Sequence, residues 1–217
     1  IRELDINPLL ADRDGVIAVD ARVAVAPSRR LHKGRGHPRF AIFPYPKEWE
    51  RRIALNDGGT ALVRPVRPED DALFRSFFAR VTDEDLRLRF FQAVKHFSHE
   101  FIARLTQLDY ARSIALVAIE PKTGDMLGAV RLHADADYDR GEYGILIRSD
   151  LKGHGIGWQL MRIMIEYAGW LGLNVVEGQV LRENRTMLAM CQHLGFKATP
   201  DPEDATLMDV VLLVGKG

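Results

Sequence analysis

The stretch "EYGILIRSDLKGHGIGWQLM", residues 142–161, joins two hydrophobic patterns through three glycines. Its first part is an alternating apolar run, which is typical of a β-strand, and its last part begins a helical pattern. Gly153, Gly155 and Gly157 lie between the two. Such a turn exposes backbone N–H groups at the positive end of a helix dipole, an arrangement that binds phosphate. The sequence therefore predicts a strand, a tight turn and a helix, with the turn serving either phosphate binding or structure alone.

Two standard nucleotide-binding motifs do not match this turn. A dinucleotide fingerprint would need glycine at the position of Trp158, and no acidic residue that ends a βαβ unit follows at the expected distance. A P-loop would need a Gly-Lys-Ser/Thr sequence, which does not follow either. Arg148 and Lys152 flank the turn and would add positive charge, although each is also an ordinary surface residue.

The composition excludes several classes of protein. Of the 217 residues, 47% are hydrophobic and 28% are charged, which is typical of a globular chain with a core. Basic and acidic residues number 30 each, so no overall positive charge attracts nucleic acid or an anionic membrane. Cys191 is the single cysteine and no signal peptide or long apolar run is present, so we expect a cytoplasmic protein. The histidines lack metal-site spacing, so no metal is expected.

The chain is predicted to contain three regions. Residues 1–26 hold two apolar runs on either side of "DRDG", which predicts a hairpin. Residues 27–52 begin with many prolines, glycines and basic residues, which predicts a linker. A domain over residues 53–217 follows, and its first element is a hairpin through "NDGG" at 56–59.

Strand and helix patterns in this domain do not alternate regularly. Three short helices are predicted to begin near Pro68, Thr82 and Ser98. Strands are predicted over 113–120, 127–134, 142–149, 174–181 and 206–214. Two further helices are predicted between Gly155 and Gly172 and between Asn184 and Gly195. Consecutive strands with short turns form an antiparallel meander, so the fold class is α+β with a mainly antiparallel sheet flanked by helices.

The segment "LKGHGIGWQLM", with the strand before it and "VLRENRTMLAMCQHLGF" after it, resembles the acetyl-CoA-binding core of the GNAT acetyltransferase superfamily. The family pattern is Arg or Gln, two residues, Gly, one residue, then Gly or Ala. It occurs here as Lys152, Gly155 and Gly157, with lysine as a departure at the first position. The resemblance covers about residues 60 to 214 and implies the GNAT fold, with acetyl-CoA as co-substrate.

The resemblance also implies which residues hold the cofactor. The backbone of the strand pairs with the pantetheine arm and polarises the thioester carbonyl, and this role falls on Ile145, Leu146 and Ile147. The turn holds the pyrophosphate, through Lys152, Gly153, His154, Gly155, Ile156, Gly157 and Trp158. Asn184 is implied to contact the pantetheine or the acceptor, although helix capping alone also explains an asparagine at this position.

The N-terminal segment "ELDINPLLADRDGVIAVDARV", residues 3–23, resembles the closing hairpin of the ATP-grasp domain in acyl-CoA synthetases of the nucleoside-diphosphate-forming type. In that family the positions of Asn7 and Asp20 help to hold the metal of the nucleotide. A hairpin of this kind attached to a GNAT domain resembles the bacterial protein lysine acetyltransferases of the Pat type. The chain is then expected to be the C-terminal part of a larger enzyme, with an AMP-forming acyl-CoA synthetase as its protein substrate.

A lysine acceptor needs help to lose its proton. Its pKa of about 10.4 means that exposing the lone pair at pH 7 costs about 4–5 kcal/mol. Glu142 is the first candidate for the general base, because it begins the strand that leads to the glycine turn. Glu183, beside Asn184, is the second candidate. The alternative for Glu142 is a solvent-facing glutamate at a strand end.

Other parts of the reaction stay open at this point. Many GNAT enzymes place a tyrosine early in the last helix to protonate the CoA thiolate, but residues 182–195 contain none, so the acid is unassigned. The same glycine turn would also serve a non-catalytic acyl-CoA sensor. A third alternative keeps the enzyme and replaces the protein lysine by a small amine.

Overall fold

The computed structural model describes residues 3–25, 43–93 and 97–214. The chain divides into two compact units, Ile1–Lys33 and Gly34–Gly217. Each unit has its own sheet structure. The predicted assignment of the first unit to an ATP-grasp domain stays a prediction.

The first unit consists of nested antiparallel pairs. Its strands are β1 (Glu3–Ile6), β2 (Leu9–Ala11), β3 (Val16–Ala18) and β4 (Ala21–Ala24), and β1 pairs with β4 while β2 pairs with β3. The Asp12 carboxylate closes the inner turn by accepting the N–H groups of Asp14 and Gly15 at 2.8 and 3.0 Å. The hairpin around "DRDG" is therefore present. Every side chain described in this unit is exposed, apolar ones included, so these strands form no core of their own.

The second unit is built on one eight-stranded sheet. Its strands are β5 (Arg51–Ala54), β6 (Thr60–Pro65), β7 (Ser113–Ile119), β8 (Met126–Ala134), β9 (Arg140–Ile147), β10 (Val175–Leu181), β11 (Lys197–Pro200) and β12 (Leu207–Leu213). Their order across the sheet is β11-β12-β10-β9-β8-β7-β6-β5. Each pair of neighbours is antiparallel except β9 and β10, which are parallel. The predicted meander and the α+β class are confirmed.

Within the described residues five α-helices flank this sheet, and local capping positions them. The helices are α1 (Asp71–Phe78), α2 (Asp83–Phe90), α3 (His99–Thr106), α4 (Ile156–Leu171) and α5 (Arg185–His193). Thr82, Ser98 and Asn184 each accept a backbone N–H of the helix that follows, as their residue types predict. Gly172 ends α4 in the left-handed region, with a φ of 87°, where glycine is favoured.

The sheet separates two hydrophobic cores. Along β7, Ile114 and Leu116 pack in the core that contains α4, whereas Ala115 and Val117 pack in the core that contains α1 and α3. This alternation follows from the two-residue period of a strand. The helices therefore cover both faces of the sheet, and its central strands β7, β8 and β9 are held from either side.

The structure corrects two details of the prediction. Residues 43–52, assigned to the linker, belong to the second unit: Trp49 is 4% exposed, with ring centroids 5.0 Å from Tyr167 and 5.6 Å from Trp170. The nearby prolines of "FPYP" are typical of a linker, so the sequence did not indicate that Trp49 packs in the core. Strand β11 was not predicted, because all four of its residues are exposed and give no alternating pattern. Within the described residues, no helix is long and apolar enough to cross a membrane.

Candidate functional site

A gap opens in the sheet between its two parallel strands. Strands β9 and β10 pair only from Arg140 to Glu142, opposite Val175 to Glu177. Beyond these residues β9 continues beside β8 and β10 continues beside β12. In the part of the chain that the structure describes, residues 143–147 of β9 therefore have no strand partner on the side of β10. Their backbone groups are available to an extended ligand.

Tyr143 packs against β10 where the pairing of the two strands ends. Its ring is 8% exposed and lies against Gly178 of β10, where a Cβ would come within 2.8 Å of the ring. The ring also packs on Phe196, and the hydroxyl lies 3.1 Å from the Sγ of Cys191. Burial raises the pKa of Tyr143 well above its usual range, so the hydroxyl stays protonated. Glycine at position 178 leaves room for this ring, which lines the cleft.

The cleft lies in the second unit and has a volume of about 620 Å³. Most of its lining comes from strand β9, the glycine turn, helix α2 and the beginning of helix α5, and strand β10 and Asn56 complete it. The predicted site residues that line the cleft are Glu142, Ile145, Leu146, Ile147, Lys152, Gly153, Gly155, Ile156, Gly157, Trp158, Glu183 and Asn184. His154 belongs to the same turn but is not part of this lining. Chain folding thus brings the predicted residues together at one place.

The glycine turn presents a run of free amides. None of the seven backbone N–H groups from Lys152 to Trp158 donates to an acceptor in the described part of the chain. Gly153 and Gly155 have φ angles of 84° and 85°, and helix α4 begins at the next residue, Ile156. Consecutive free amides at a helix N-terminus form a concave site for an anion, and the helix dipole adds to it. The geometry is that of a phosphate-binding turn.

Asn56 lines the cleft and holds this turn in place, a role that sequence reasoning missed. Its backbone N–H donates to the carbonyl oxygen of His154 at 3.1 Å, and its Nδ2 donates to that of Gly153 at 3.2 Å. A hydrogen bond of 3.1 Å also joins His154 Nδ1 to the Asp57 carboxylate. A Cβ on Gly155 would lie 2.7 Å from Asn56 Oδ1, so glycine is required there by contact as well as by φ. The "NDGG" sequence signalled the hairpin turn but not this contact.

Lys152 is paired within the structure. Its ammonium, 56% exposed, forms an ion pair with Asp85 in the first turn of α2. Burial acts to raise the pKa of Asp85, but the hydrogen bonds from Lys152 and Ser149 outweigh it, so the net pKa is lowered and the carboxylate stays ionised. The predicted contact between Lys152 and a phosphate stays a prediction.

Glu142 lies where the two strands part. It is the last residue of β9 that pairs with β10, where it lies opposite Glu177. On its other side it pairs with His133 of β8. The side chain is exposed, lines the cleft, and makes no hydrogen bond or ion pair within the described residues. A carboxylate that is accessible and uncommitted can accept a proton from a nucleophile in the cleft. Its position is therefore compatible with the predicted base.

Glu183 is held in an ion pair across the cleft. Its carboxylate accepts a hydrogen bond from Arg87 at 2.5 Å, and Arg87 also holds Glu84 at 2.9 Å. These two carboxylates raise the pKa of Arg87. Because the Glu183 carboxylate is already paired with Arg87, whereas Glu142 has no such partner among the described residues, the structure favours Glu142 over Glu183 as the base.

The Asn184 side chain caps helix α5. Its Oδ1 accepts the N–H of Met187 at 3.1 Å, which is the structural role that the sequence offered as an alternative. The residue still lines the cleft beside Glu183. In the part of the chain that the structure describes, no three His, Cys, Asp or Glu residues come together in a way that could hold a metal ion.

Comparisons with known proteins agree with this geometry. The model of a family described as "Acetyltransferase (GNAT) domain" matches residues 61–197. The chain is similar to Acetyltransferase PA5475 of Pseudomonas aeruginosa, with 32% identity over 155 residues that span 70% of this chain and 83% of that protein. The GNAT domain of S. lividans PAT superposes with a TM-score of 0.73 at 26% identity, covering 78% of this chain and 99% of that domain.

A further relative is larger. Acetyltransferase Pat of Mycolicibacterium smegmatis is 26% identical over 144 residues, which span 66% of this chain but 43% of that protein. The chain thus corresponds to less than half the length of this relative. The matched family model covers more than half of the chain, including the cleft and the glycine turn. The chain therefore belongs to the GNAT acetyltransferase family, has its α+β fold, and is an N-acetyltransferase of the GNAT type.

Proposed function

We propose that the protein transfers the acetyl group of acetyl-CoA to the ε-amine of a lysine in a protein, with an AMP-forming acyl-CoA synthetase as its substrate. The main support for acetyl transfer is the order of features along the cleft. Seven free amides from Lys152 to Trp158 lie at one end, an unpaired strand edge follows, and Glu142 stands at the other end. A pyrophosphate, an extended pantetheine arm and a reacting amine need these three features in this order.

The residues of the cleft then have separate roles in the reaction. The free amides of the turn bind the pyrophosphate, and the edge of β9 aligns the arm and polarises the thioester carbonyl. Glu142 accepts the proton of the attacking amine, directly or through water, as the nitrogen forms its bond to the carbonyl carbon. The tetrahedral intermediate then releases the CoA thiolate. A thiol with a pKa of about 8.5 is a good leaving group near neutral pH, so the reaction needs no strong acid.

The protein substrate is supported by the relatives rather than by the cleft. Two of the proteins described above carry the name Pat, one as a whole protein and one as a GNAT domain. The N-terminal hairpin resembles the end of an ATP-grasp domain, which is the extension expected in a Pat-type enzyme. A single cysteine favours action in the cytoplasm.

Two other functions remain to be separated by experiment. A non-catalytic sensor would bind acetyl-CoA in the same cleft and leave Glu142 unused. An enzyme acting on a small amine would keep every role above and change only the acceptor.

The test is incubation of the chain with radiolabelled acetyl-CoA, with a purified acyl-CoA synthetase as acceptor. Label on the synthetase, lost when its active-site lysine is replaced by arginine, is the expected result. Binding of acetyl-CoA without turnover on any acceptor would establish the sensor. Turnover with small amines alone would establish the third function and overturn the proposed protein substrate.

A further inference from the structure

Arg89 occupies an unusual place at the Glu142 end of the cleft. It belongs to α2, and its guanidinium lies directly over the Cα of Gly144 in β9, where any side chain would overlap it. Arg89 and Gly144 both line the cleft, together with Glu142. Glycine at position 144 thus makes room for the guanidinium against the strand.

Within the described residues this guanidinium makes no hydrogen bond and no ion pair. Besides Gly144, it lies near the ring of Phe90, with 5.2 Å between the Cζ and the ring centroid. Burial lowers the pKa of Arg89, and the charge of Glu142 only partly opposes this. A partly buried guanidinium without a paired acceptor is costly, and natural proteins place such groups where a ligand supplies the missing partner.

The surroundings of Arg89 add a second positive charge. Arg131 lies opposite Gly144 in the register of β8 and β9, and its Nη1 donates to the carbonyl oxygen of Arg104 at 3.3 Å. Burial lowers the pKa of Arg131 too, against the charge of Glu142. His133, the next residue on that face of β8, is hydrogen-bonded to the Ser113 hydroxyl. The charge of Glu142 acts on both guanidinium groups although neither is ion-paired with it within the described residues, so two positive charges face one carboxylate here.

The cofactor cannot supply the missing anion. From Gly144 to Ile147 the strand runs for about 10 Å, and the phosphate-binding turn lies beyond that point. The thioester that lies between is neutral. An anion that reaches Arg89 must therefore arrive with the acceptor, whose amine lies at Glu142, two residues or about 7 Å along the strand.

We propose that Arg89 binds a carboxylate which the acceptor carries within about 7 Å of its reacting amine, and so selects the acceptor. This inference rests on the proposed acetyl transfer at Glu142 but not on the identity of the acceptor. Two sources have the required chemistry. One is a lysine with an acidic residue beside it in a protein, and the other is a free α-amino acid.

The test compares acceptors that differ by one carboxylate. One pair is a lysine peptide with aspartate next to the lysine and the same peptide with asparagine there. The other pair is alanine and its α-carboxamide. For each pair we take the ratio of kcat/KM values in the wild type and in Arg89→Gln, so that differences in amine pKa cancel.

We expect the preference for the carboxylate-bearing member of at least one pair to fall about tenfold or more in Arg89→Gln, mainly through KM, because a charge-assisted bond is lost. Arg89→Lys, which keeps the charge but not the planar fork, should retain part of the preference. The control is Arg52→Gln, an exposed arginine on edge strand β5, which should change nothing. The affinity for acetyl-CoA should stay constant in all three variants.

Three results would overturn the assignment. The first is an unchanged preference in Arg89→Gln for both pairs. The second is a loss of acetyl-CoA binding, which would assign Arg89 to the cofactor. The third is a changed ratio of succinyl-CoA to acetyl-CoA turnover, which would place the anion on the acyl group. If only the alanine pair responds, Arg89 still selects a carboxylate, but the protein substrate proposed above is wrong. If protein lysines are acetylated equally with and without a neighbouring acid, the protein substrate stands and the role of Arg89 is wrong.

Discussion

The two ends of the cleft differ in what they are made of. At the glycine turn the ligand-binding groups are backbone amides, positioned by φ angles that glycine adopts freely and by the start of α4. At the other end they are side chains, Glu142 and Arg89, which come from different elements and meet only in the folded protein. A site built from backbone tolerates substitution of its neighbours and fails when its geometry changes. A site built from side chains fails when one functional group is removed.

The largest effect should come from the side-chain end. Glu142→Gln removes the base and keeps the shape, so we expect kcat/KM near neutral pH to fall by about 10²–10⁴-fold while acetyl-CoA binds normally. The rate should recover as the pH rises toward the pKa of the acceptor amine. The measurement is a pH profile of thiol release together with calorimetric binding of acetyl-CoA.

Glu183→Gln is the matched control for that variant. Because Glu183 is already paired with Arg87, its loss should reduce the rate far less. An unchanged rate in Glu142→Gln would exclude Glu142 as the base, and a larger loss in Glu183→Gln would reverse the assignment.

The backbone end should respond to shape. Gly155→Ala introduces a Cβ in the left-handed region, at a cost of about 1–2 kcal/mol, and also places it 2.7 Å from Asn56 Oδ1. We expect the Kd for acetyl-CoA to rise about tenfold or more, since roughly 1.4 kcal/mol corresponds to a factor of ten. Gly153→Ala has a similar φ but open space around its Cβ, so it should have a smaller effect. Equal effects in the two variants would show that contact with Asn56 is irrelevant.

A third variant tests the packing of Tyr143 in β9 against Gly178 in β10, between the two ends of the cleft. Gly178→Ala places a Cβ 2.8 Å from the Tyr143 ring, and overpacking of this kind costs about 1–3 kcal/mol. We expect thermal unfolding at a lower temperature and a higher KM for acetyl-CoA. Tyr143→Phe removes only the hydroxyl contact with Cys191 and should restore neither property when combined with Gly178→Ala. In a Tyr143→Ala background, which removes the ring, Gly178→Ala should cost much less stability than it does in the wild type, and an equal cost in both backgrounds would exclude the collision as the cause.

The smallest effect concerns the ion pair between Asp85 and Lys152. The pKa of Asp85 is lowered in the folded state, so its pairing stabilises the protein above the unfolded pKa of about 3.9 and is lost as the pH falls through the folded value. The contribution should be about 1 kcal/mol, because Lys152 is 56% exposed and water screens the pair. Denaturant unfolding of wild type and Asp85→Asn should therefore differ at pH 7, and the difference should shrink as the pH falls below about 3.9. A difference independent of pH would contradict this account.

The strand, turn and helix at the backbone end could be predicted from the sequence because their signals are local. Glycines followed by a helical pattern specify the turn, and Thr82 specifies the start of α2, which lines the same cleft. The position of Glu142 on the strand before the turn could be predicted in the same way. Contacts between distant segments could not be predicted. Asn56 and Gly153 are 97 residues apart, Arg87 and Glu183 are 96 apart, and the place of Arg89 over Gly144 depends on how α2 packs against β9. No local pattern encodes such pairs.

The short pairing of β9 with β10 has a consequence for how the second unit opens. Three residue pairs join a half-sheet of five strands, β5 to β9, to one of three strands, β10 to β12. Because so few pairs join the two half-sheets, we expect their amide hydrogens to exchange as two separate groups. The smaller half-sheet, β10 to β12, should open at a lower free energy than the larger one. A molecule lying along the gap touches both halves and must hold them together. Cofactor binding should therefore slow hydrogen exchange throughout β10 and β12, including at residues too far from the cleft to touch it.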